Sequence, residues 1–158
     1  MPTDELTKDF DVLYLTYADM LYRIAVSMLR SADDAEDAVQ NAFCRYLDKT
    51  PSFRDTEQEK AWLIRVLINQ CKDLMRRRKL RAWLPIEALA DVGIRPKSTP
   101  ALDAVMELPD KYKTVVILYH LEEMSVQEIA GTLSLSQSAV KMRLSRAREM
   151  LREIIEKS

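Results

Sequence analysis

Apolar residues recur at steps of three and four over most of this chain, which is the spacing of one buried face on an α-helix. In the first half the pattern predicts three helices, over residues 8–30, 31–47 and 58–81. Ser31 followed by Asp34 is a capping pattern and marks the start of the second helix. The apolar positions of the first helix are Phe10, Leu13, Tyr14, Tyr17, Leu21, Ile24 and Met28.

The second half shows the same period in shorter pieces. It predicts helices over 101–108 and 110–122, a brief helix after Ser125 and a last helix after Ser136. In the last helix the apolar positions are spaced 4, 3, 4 and 3, at Val140, Leu144, Ala147, Leu151 and Ile154. No run alternates apolar and polar residues over the length of a strand, so the predicted fold class is all-α.

Two stretches interrupt the helical period. Residues 48–57 contain a proline and are interpreted as a loop, and residues 84–100 contain three prolines and a glycine and are interpreted as a flexible linker. The chain is therefore predicted to form two small helical domains, residues 1–83 and residues 101–158.

Composition narrows the possible functions. The chain has only two glycines, which disfavours the glycine-rich phosphate loops of nucleotide-binding enzymes. His120 is the sole histidine, and no arrangement of nucleophile and base or of metal ligands is present, so we expect no active site, metal or cofactor. Cys44 and Cys71 lie in helical patterns and are expected to be reduced, buried core thiols. The acidic N-terminus and the lack of a long uninterrupted apolar stretch predict a cytoplasmic protein without membrane insertion.

The net charge of −1 conceals a segregation of charge along the chain. Residues 1–59 carry −7 and residues 60–83 carry +7, whereas residues 102–139 carry −4 and residues 140–158 carry +3. Each basic block thus follows an acidic one. This pattern indicates two separate anion-facing elements on an acidic body.

Both basic blocks suit nucleic acid, in different ways. A short helix, a turn and a longer helix with several cations form the layout of a helix-turn-helix, whose second helix enters the major groove of duplex DNA. The third helix instead carries a polar and basic stripe with aromatic residues close to it: Phe53, Trp62 and Trp83. Aromatic faces beside cations favour single-stranded nucleic acid, because bases stack while phosphates are neutralised.

Two sets of motifs resemble one known family. The segments DAEDAVQNAF (34–43) and AWLIRVLIN (61–69) resemble the second conserved region of bacterial sigma factors. The segments LPDKYKTVVIL (108–118), MSVQEIA (124–130) and SAVKMRLSRARE (138–149) resemble the fourth region. The presence of these two regions alone is similar to the plan of the extracytoplasmic-function group of sigma factors.

The resemblance implies a subunit that binds core RNA polymerase, directs it to promoters and helps to open the DNA, with an anti-sigma factor as a further partner. It implies polymerase binding by Asp34, Glu36, Asp37, Gln40 and Asn41. It implies contact with the opened strand of the minus-ten element by Phe53, Arg54, Trp62, Arg65, Asn69, Lys72 and Arg76. It implies contact with the duplex minus-thirty-five element by Ser138, Lys141, Met142, Arg143, Ser145, Arg146 and Arg148.

The chain departs from the family pattern at Ser134, where relatives often have glycine in the turn, so we expect strain or different capping there. Met142 and Ser145 are poor or short hydrogen-bonding side chains, so promoter preference does not transfer from relatives. Two other functions remain open at this point: a helix-turn-helix regulator that binds duplex DNA without polymerase, and a helical adaptor. A stand-alone regulator would not explain the basic stripe of the third helix with its aromatic neighbours. An adaptor would explain neither basic block.

Overall fold

The computed structural model describes residues 2–49, 52–81 and 100–157, and these residues form helices and turns without a strand. The first three helices are α1 (Pro2–Leu29), α2 (Ala32–Lys49) and α3 (Thr56–Arg81). The others are α4 (Pro100–Met106), α5 (Asp110–Val116), α6 (Val126–Leu133) and α7 (Gln137–Lys157). The prediction of an all-α fold is confirmed. Helix α1 begins earlier than predicted, because its first turns are polar and carry no apolar period.

Helices α1, α2 and α3 pack against one another and form the first domain. Its centre contains large side chains with almost no exposed surface, among them Leu21, Ile24, Leu63 and Leu67. The Ser31 hydroxyl accepts a hydrogen bond from the backbone N–H of Asp34 (3.2 Å), as the capping pattern predicts. Asp55 caps α3 in the same way, because its carboxylate accepts from the backbone N–H of Gln58 at 2.8 Å.

The second domain is built around α7, which contacts α4, α5 and α6. Ser125 and Glu128 form a complete capping box at the start of α6. Helix α6 ends at Leu133, and the backbone of the following Ser134 is left-handed with φ 57° and ψ 46°. The Ser136 hydroxyl then caps α7 by accepting from the backbone N–H of Ala139 at 3.0 Å. A short helix, a turn and a long helix are thus present as predicted.

Two details differ from the predictions. The helix expected over 110–122 changes after Val116 into a π-turn over Ile117–Leu121, which the apolar period does not reveal. Cys71 is buried as expected, but the prediction for Cys44 is wrong because this cysteine is exposed. Its apolar neighbours Ala42 and Phe43 take the inward positions of α2 and leave Cys44 on the outer face.

Helix α1 is long and apolar enough over Phe10–Leu29 to cross a membrane, by length and composition alone. In the structure several apolar residues of α1 are buried: Leu21, Ile24 and Met28 pack against α2 and α3. Asp19 and Arg23 lie on its exposed side. The helix therefore has the amphipathic arrangement of a core helix in a bundle.

The two domains pack directly against each other. Helix α3 contacts α6, helix α1 contacts the π-turn, and one continuous cluster of buried apolar residues extends through both domains. Arg23 forms a two-pronged ion pair with Glu122, whose side chain is only 4% exposed. Arg30 also pairs with Asp103. The predicted linker lies, apart from Pro100, outside the described residues, and the predicted domain boundaries remain predictions.

Candidate polymerase and nucleic-acid interfaces

The outer face of α2 carries the predicted polymerase-binding residues. Glu36, Asp37, Gln40 and Asn41 are all exposed, because Ala35, Ala38, Val39 and Ala42 take the inward positions. Asp34 differs from them, since it forms an ion pair with Arg78 of α3. Four of the five predicted residues therefore share an open acidic and polar surface, and the fifth helps to join two helices.

An open groove of about 500 Å³ adjoins this surface, between α2 and α3. It is lined by Asn41, Cys44, Arg45, Asp48 and Gln70. The groove extends the exposed polar face of α2 toward α3.

The aromatic rings of Tyr46, Phe53 and Trp62 lie together where the loop before α3 meets the helices. The ring centroids of Phe53 and Trp62 are 5.9 Å apart, and those of Tyr46 and Trp62 are also 5.9 Å apart in an edge-to-face arrangement. All three side chains are half-buried. Each ring thus stays partly accessible while its neighbours fix its orientation. The predicted residues Phe53 and Trp62 are brought together, and sequence reasoning missed Tyr46.

The Glu59 carboxylate links the helices next to these rings, and the sequence analysis did not predict it. It accepts a hydrogen bond from the hydroxyl of Tyr17 at 3.0 Å and another from the hydroxyl of Tyr46 at 2.9 Å. Burial raises the pKa of Tyr17 to about 12, with a further contribution from the Glu59 carboxylate. Helices α1, α2 and α3 are therefore joined at one carboxylate, and Tyr46 is oriented toward the other two rings.

The basic stripe of α3 lies on one face of the helix. Arg65 and Lys72 are half-buried, whereas Asn69 and Arg76 are exposed. Arg76 forms an ion pair with Asp73 at 3.1 Å, but both side chains are more than half exposed, so this pair is weak. Arg54 is exposed in the loop before α3, and its backbone N–H donates to the Gln58 side chain at 2.8 Å.

Helix α7 presents the predicted duplex-binding residues outward. Val140 and Ala147 are fully buried and fix the rotation of the helix. Six predicted residues are exposed: Ser138, Lys141, Met142, Ser145, Arg146 and Arg148. Met142 is 54% exposed, and Arg143 is half-buried. The helix therefore offers an outer face of mixed polar and apolar side chains with cations along its edges.

Tyr112 of α5 lies beside this face and was not predicted to matter. Its ring is buried among α5 and α7 in a cluster with Leu108, Val116 and Ala147. A hydrogen bond from Arg146 is the main cause that lowers the pKa of Tyr112, and a second from Lys111 acts in the same direction. Arg146 therefore lies on the side of α7 that is near α5.

Residues 2–49, 52–81 and 100–157 contain no group of three His, Cys, Asp or Glu side chains that could hold a metal ion. Burial raises the pKa of the Cys71 thiol to about 12, so this cysteine is protonated over the physiological range.

Comparisons with known proteins identify the family of the chain. The family profile for Sigma-70 region 2 matches residues 13–81, and the profile for Sigma-70, region 4 matches residues 99–151. The chain is 31% identical to the ECF RNA polymerase sigma factor SigW of Bacillus subtilis, over 87% of this chain and 83% of the relative. It is 30% identical to the RNA polymerase sigma factor SigV of the same organism, over 96% of this chain and 95% of the relative.

A solved structure shows the same fold. It contains the sigma factor RpoE in complex with the anti-sigma factor NepR from Bartonella quintana. The superposition has a TM-score of 0.71 at 26% identity and covers 94% of this chain and 98% of the other.

Proposed function

The chain belongs to the extracytoplasmic-function group of RNA polymerase sigma factors, and from this premise we propose which of its surfaces bind the polymerase and the two promoter elements. A sigma factor directs core RNA polymerase to promoters, while the polymerase carries out the chemistry, so the chain is not an enzyme. The α2 face binds the polymerase, the α3 face with its aromatic rings binds the opened minus-ten strand, and α7 binds the duplex minus-thirty-five element.

Helix α2 suits a protein partner because its exposed face is acidic and polar and is backed by a rigid core. Glu36 and Asp37 supply charge for a basic partner surface, and Gln40 and Asn41 supply amide hydrogen bonds on the same side. Asp34 acts differently from its neighbours. Its ion pair with Arg78 fixes the start of α2 against α3 and so keeps the docking face in position.

The observation that carries the minus-ten assignment is the proximity of the aromatic cluster and the basic stripe. Tyr46, Phe53 and Trp62 present partly accessible rings, and Trp62 lies on α3 itself, the helix that carries Arg65, Asn69, Lys72 and Arg76. Stacking of bases on aromatic rings needs unpaired strands, and the cations neutralise the adjoining phosphates. A duplex offers no free base faces to these rings.

Helix α7 follows a short helix and a turn and has an outer face without bulky aromatic residues, which suits insertion into a major groove. Ser138 and Lys141 offer hydrogen-bond donors to base edges, and the exposed Met142 offers an apolar contact for a thymine methyl group. The match to sigma-70 region 2 over residues 13–81 argues against a regulator that consists of a helix-turn-helix alone.

The closed packing of the two domains is a resting arrangement in this proposal. The minus-ten and minus-thirty-five elements lie about 25 base pairs apart, which corresponds to roughly 85 Å of duplex at about 3.4 Å per base pair. A compact chain of 158 residues has a radius of gyration of about 15 Å. The domains therefore have to separate before both elements are bound, and the Arg23–Glu122 and Arg30–Asp103 pairs break at that step.

An anti-sigma factor is the second proposed partner, and the cytoplasm is the proposed location. The support is the similarity to the Bartonella quintana sigma factor, which was solved with its anti-sigma factor NepR. An inhibitor that holds the two domains together would keep both nucleic-acid surfaces from reaching their elements. A factor that serves RNA polymerase has to work where the polymerase and the chromosome are.

The docking surface is tested by Glu36→Lys together with Asp37→Lys. Both side chains are exposed, so the variant should fold normally, but its reversed charge should abolish co-purification with core polymerase. Glu153→Lys together with Glu156→Lys makes the same change of charge on exposed positions of α7 and should leave co-purification intact. If the α2 variant binds core polymerase as well as the parent protein does, the assignment of this surface is wrong.

A further inference from the structure

Lys111, Tyr112 and Arg146 form a cluster at the side of α7, and of these three only Arg146 belongs to the surfaces described above. Lys111 and Tyr112 belong to α5, and Arg146 belongs to the middle of α7, so the cluster joins two elements of the second domain. The Lys111 ammonium lies 5.0 Å from the centroid of the Tyr112 ring. Both cationic side chains are exposed.

The Tyr112 ring gives the cluster a rigid base. Tyr112 is only 6% exposed and packs with Leu108, Val116 and Ala147, with Met150 and Leu151 at the edge of the same cluster. Ala147, with which this ring packs, directly follows Arg146 in α7. Hydrogen bonding from Arg146, and to a smaller extent from Lys111, lowers the pKa of the Tyr112 phenol. The two cationic side chains therefore lie beside the same tyrosine.

No ion pair within residues 2–49, 52–81 and 100–157 balances these two charges. The ion pairs among the described residues do not include Lys111 or Arg146. Asp110 precedes Lys111 in the chain, but its carboxylate lies 3.9 Å from the ammonium group of Lys113, which is buried. Two adjacent cations repel each other, so this arrangement is stabilised when an anion binds between them.

The cluster lies beside the base-reading face of α7 and not on it. With Val140 and Ala147 inward, Ser138, Met142 and Ser145 take the opposite, outer side of the helix. Arg146 lies at the edge of α7, one position before Ala147, which packs with Tyr112 of α5. When a helix enters a major groove, groups at its edges face the phosphates that border the groove.

We propose that Lys111 and Arg146, held together on Tyr112, bind one backbone phosphate of the duplex at the border of the major groove. This inference rests on the proposed function of α7 as the helix that enters the minus-thirty-five element. It makes Lys111 a new DNA-binding residue, Tyr112 a positioning residue and Arg146 a phosphate contact that carries no sequence information.

The test is a double-mutant cycle on the reconstituted holoenzyme with a promoter fragment whose start site this holoenzyme has been shown to use. Binding of the duplex is measured over a range of salt concentrations for Lys111→Ala, Arg146→Ala and the double variant. Because the two cations share one phosphate, the double variant should lose little more affinity than the stronger single variant. Loss of the contact should reduce the slope of log K against log salt by about 0.9.

Two further variants separate the possible outcomes. Tyr112→Phe keeps the buried ring but removes the hydroxyl, so thermal stability should change little while the salt slope falls toward that of Arg146→Ala. Lys141→Ala lies on the other edge of α7 and shares no contact with Lys111, so its effect should add to that of Lys111→Ala.

If Lys141→Ala weakens binding but Lys111→Ala and Tyr112→Phe do not, the phosphate site is wrong and the proposed function of α7 stands. If none of these variants affects recognition of the minus-thirty-five element, the proposed function of α7 is itself wrong. If Arg146→Ala alters discrimination at single base pairs, Arg146 reads a base and the shared phosphate is excluded.

Discussion

Arg78 shows how one side chain determines whether the docking helix is held in place. Its guanidinium donates to the Asp34 carboxylate and to the backbone carbonyl of Leu29. It therefore joins the end of α1, the start of α2 and the last turns of α3. The carbonyl of Leu29 lies at the C-terminus of α1, where a cation also interacts favourably with the helix dipole.

We expect Arg78→Ala to lower the free energy of unfolding by about 1–2 kcal/mol, because it leaves a partly buried carboxylate and a carbonyl without their donor. Arg76→Ala is the matched control, since Arg76 is exposed and its pair with Asp73 is weak. It should change stability by less than about 0.5 kcal/mol. Urea unfolding of both variants measures the difference, and equal stability would contradict the structural role of Arg78.

The arginine run at the end of α3 shows what could not be predicted from the sequence. Arg76, Arg77 and Arg78 are consecutive and chemically identical, so composition alone presents them as one basic run. The helix period turns Arg78 toward α2, where Asp34 meets it across 44 positions of sequence. Exposed residues such as Glu36 and Lys141 could be predicted, because a local apolar period fixes the opposite face of the same helix.

At the scale of elements, the turn between α6 and α7 is the strained part of the helix-turn-helix. Ser134 occupies the left-handed region with φ 57°, and its backbone N–H donates to the carbonyl of Ala130. The backbone N–H of Leu135 donates to the same carbonyl at 2.9 Å. The turn thus supplies two donors to the Ala130 carbonyl near the end of α6, but it requires an unfavourable backbone conformation at Ser134.

Ser134→Gly should therefore stabilise the protein by about 1 kcal/mol, because glycine adopts this conformation without a steric penalty. Ser134→Ala keeps the Cβ atom and removes only the hydroxyl, so it should give no comparable gain. Thermal or urea unfolding distinguishes the two. A gain in stability with alanine as large as that with glycine would mean that the hydroxyl, rather than the backbone, is unfavourable.

Most elements were predictable, because capping boxes and the apolar period are local signals. Ser31, Ser125 and Ser136 all cap the helices that the sequence assigned to them. The π-turn over Ile117–Leu121 was not predictable, since it inserts one residue into a helix without a proline or glycine to mark it. It lies where α1 contacts the second domain, so packing between the domains accompanies the change.

At the scale of the whole molecule, the packing of the two domains is the feature that no local pattern could reveal. The pairs Arg23–Glu122 and Arg30–Asp103 join residues that are far apart in sequence. The contact between the Lys113 ammonium and the Met75 sulfur at 3.7 Å belongs to the same interface. Such pairs depend on the tertiary arrangement, and charge patterns within single helices carry no signal for them.

Glu122→Arg should favour the open arrangement, because it places a cation opposite Arg23 where the closed form buries a carboxylate. Energy transfer between dyes on Cys44 and on a cysteine introduced at Lys157 would measure the change, because Cys44 is exposed and Cys71 is buried. Transfer should fall in Glu122→Arg and recover when Arg23→Glu is added. Unchanged transfer in the single variant would show that this ion pair does not hold the domains together.

This chain is expected to make RNA polymerase specific for promoters. Run-off transcription of fragmented genomic DNA from the source bacterium with purified core polymerase, with and without the protein, tests it most directly. With the protein we expect discrete new start sites that share two upstream elements, and these sites should vanish with Glu36→Lys together with Asp37→Lys. The same set of transcripts with and without the protein would contradict the account.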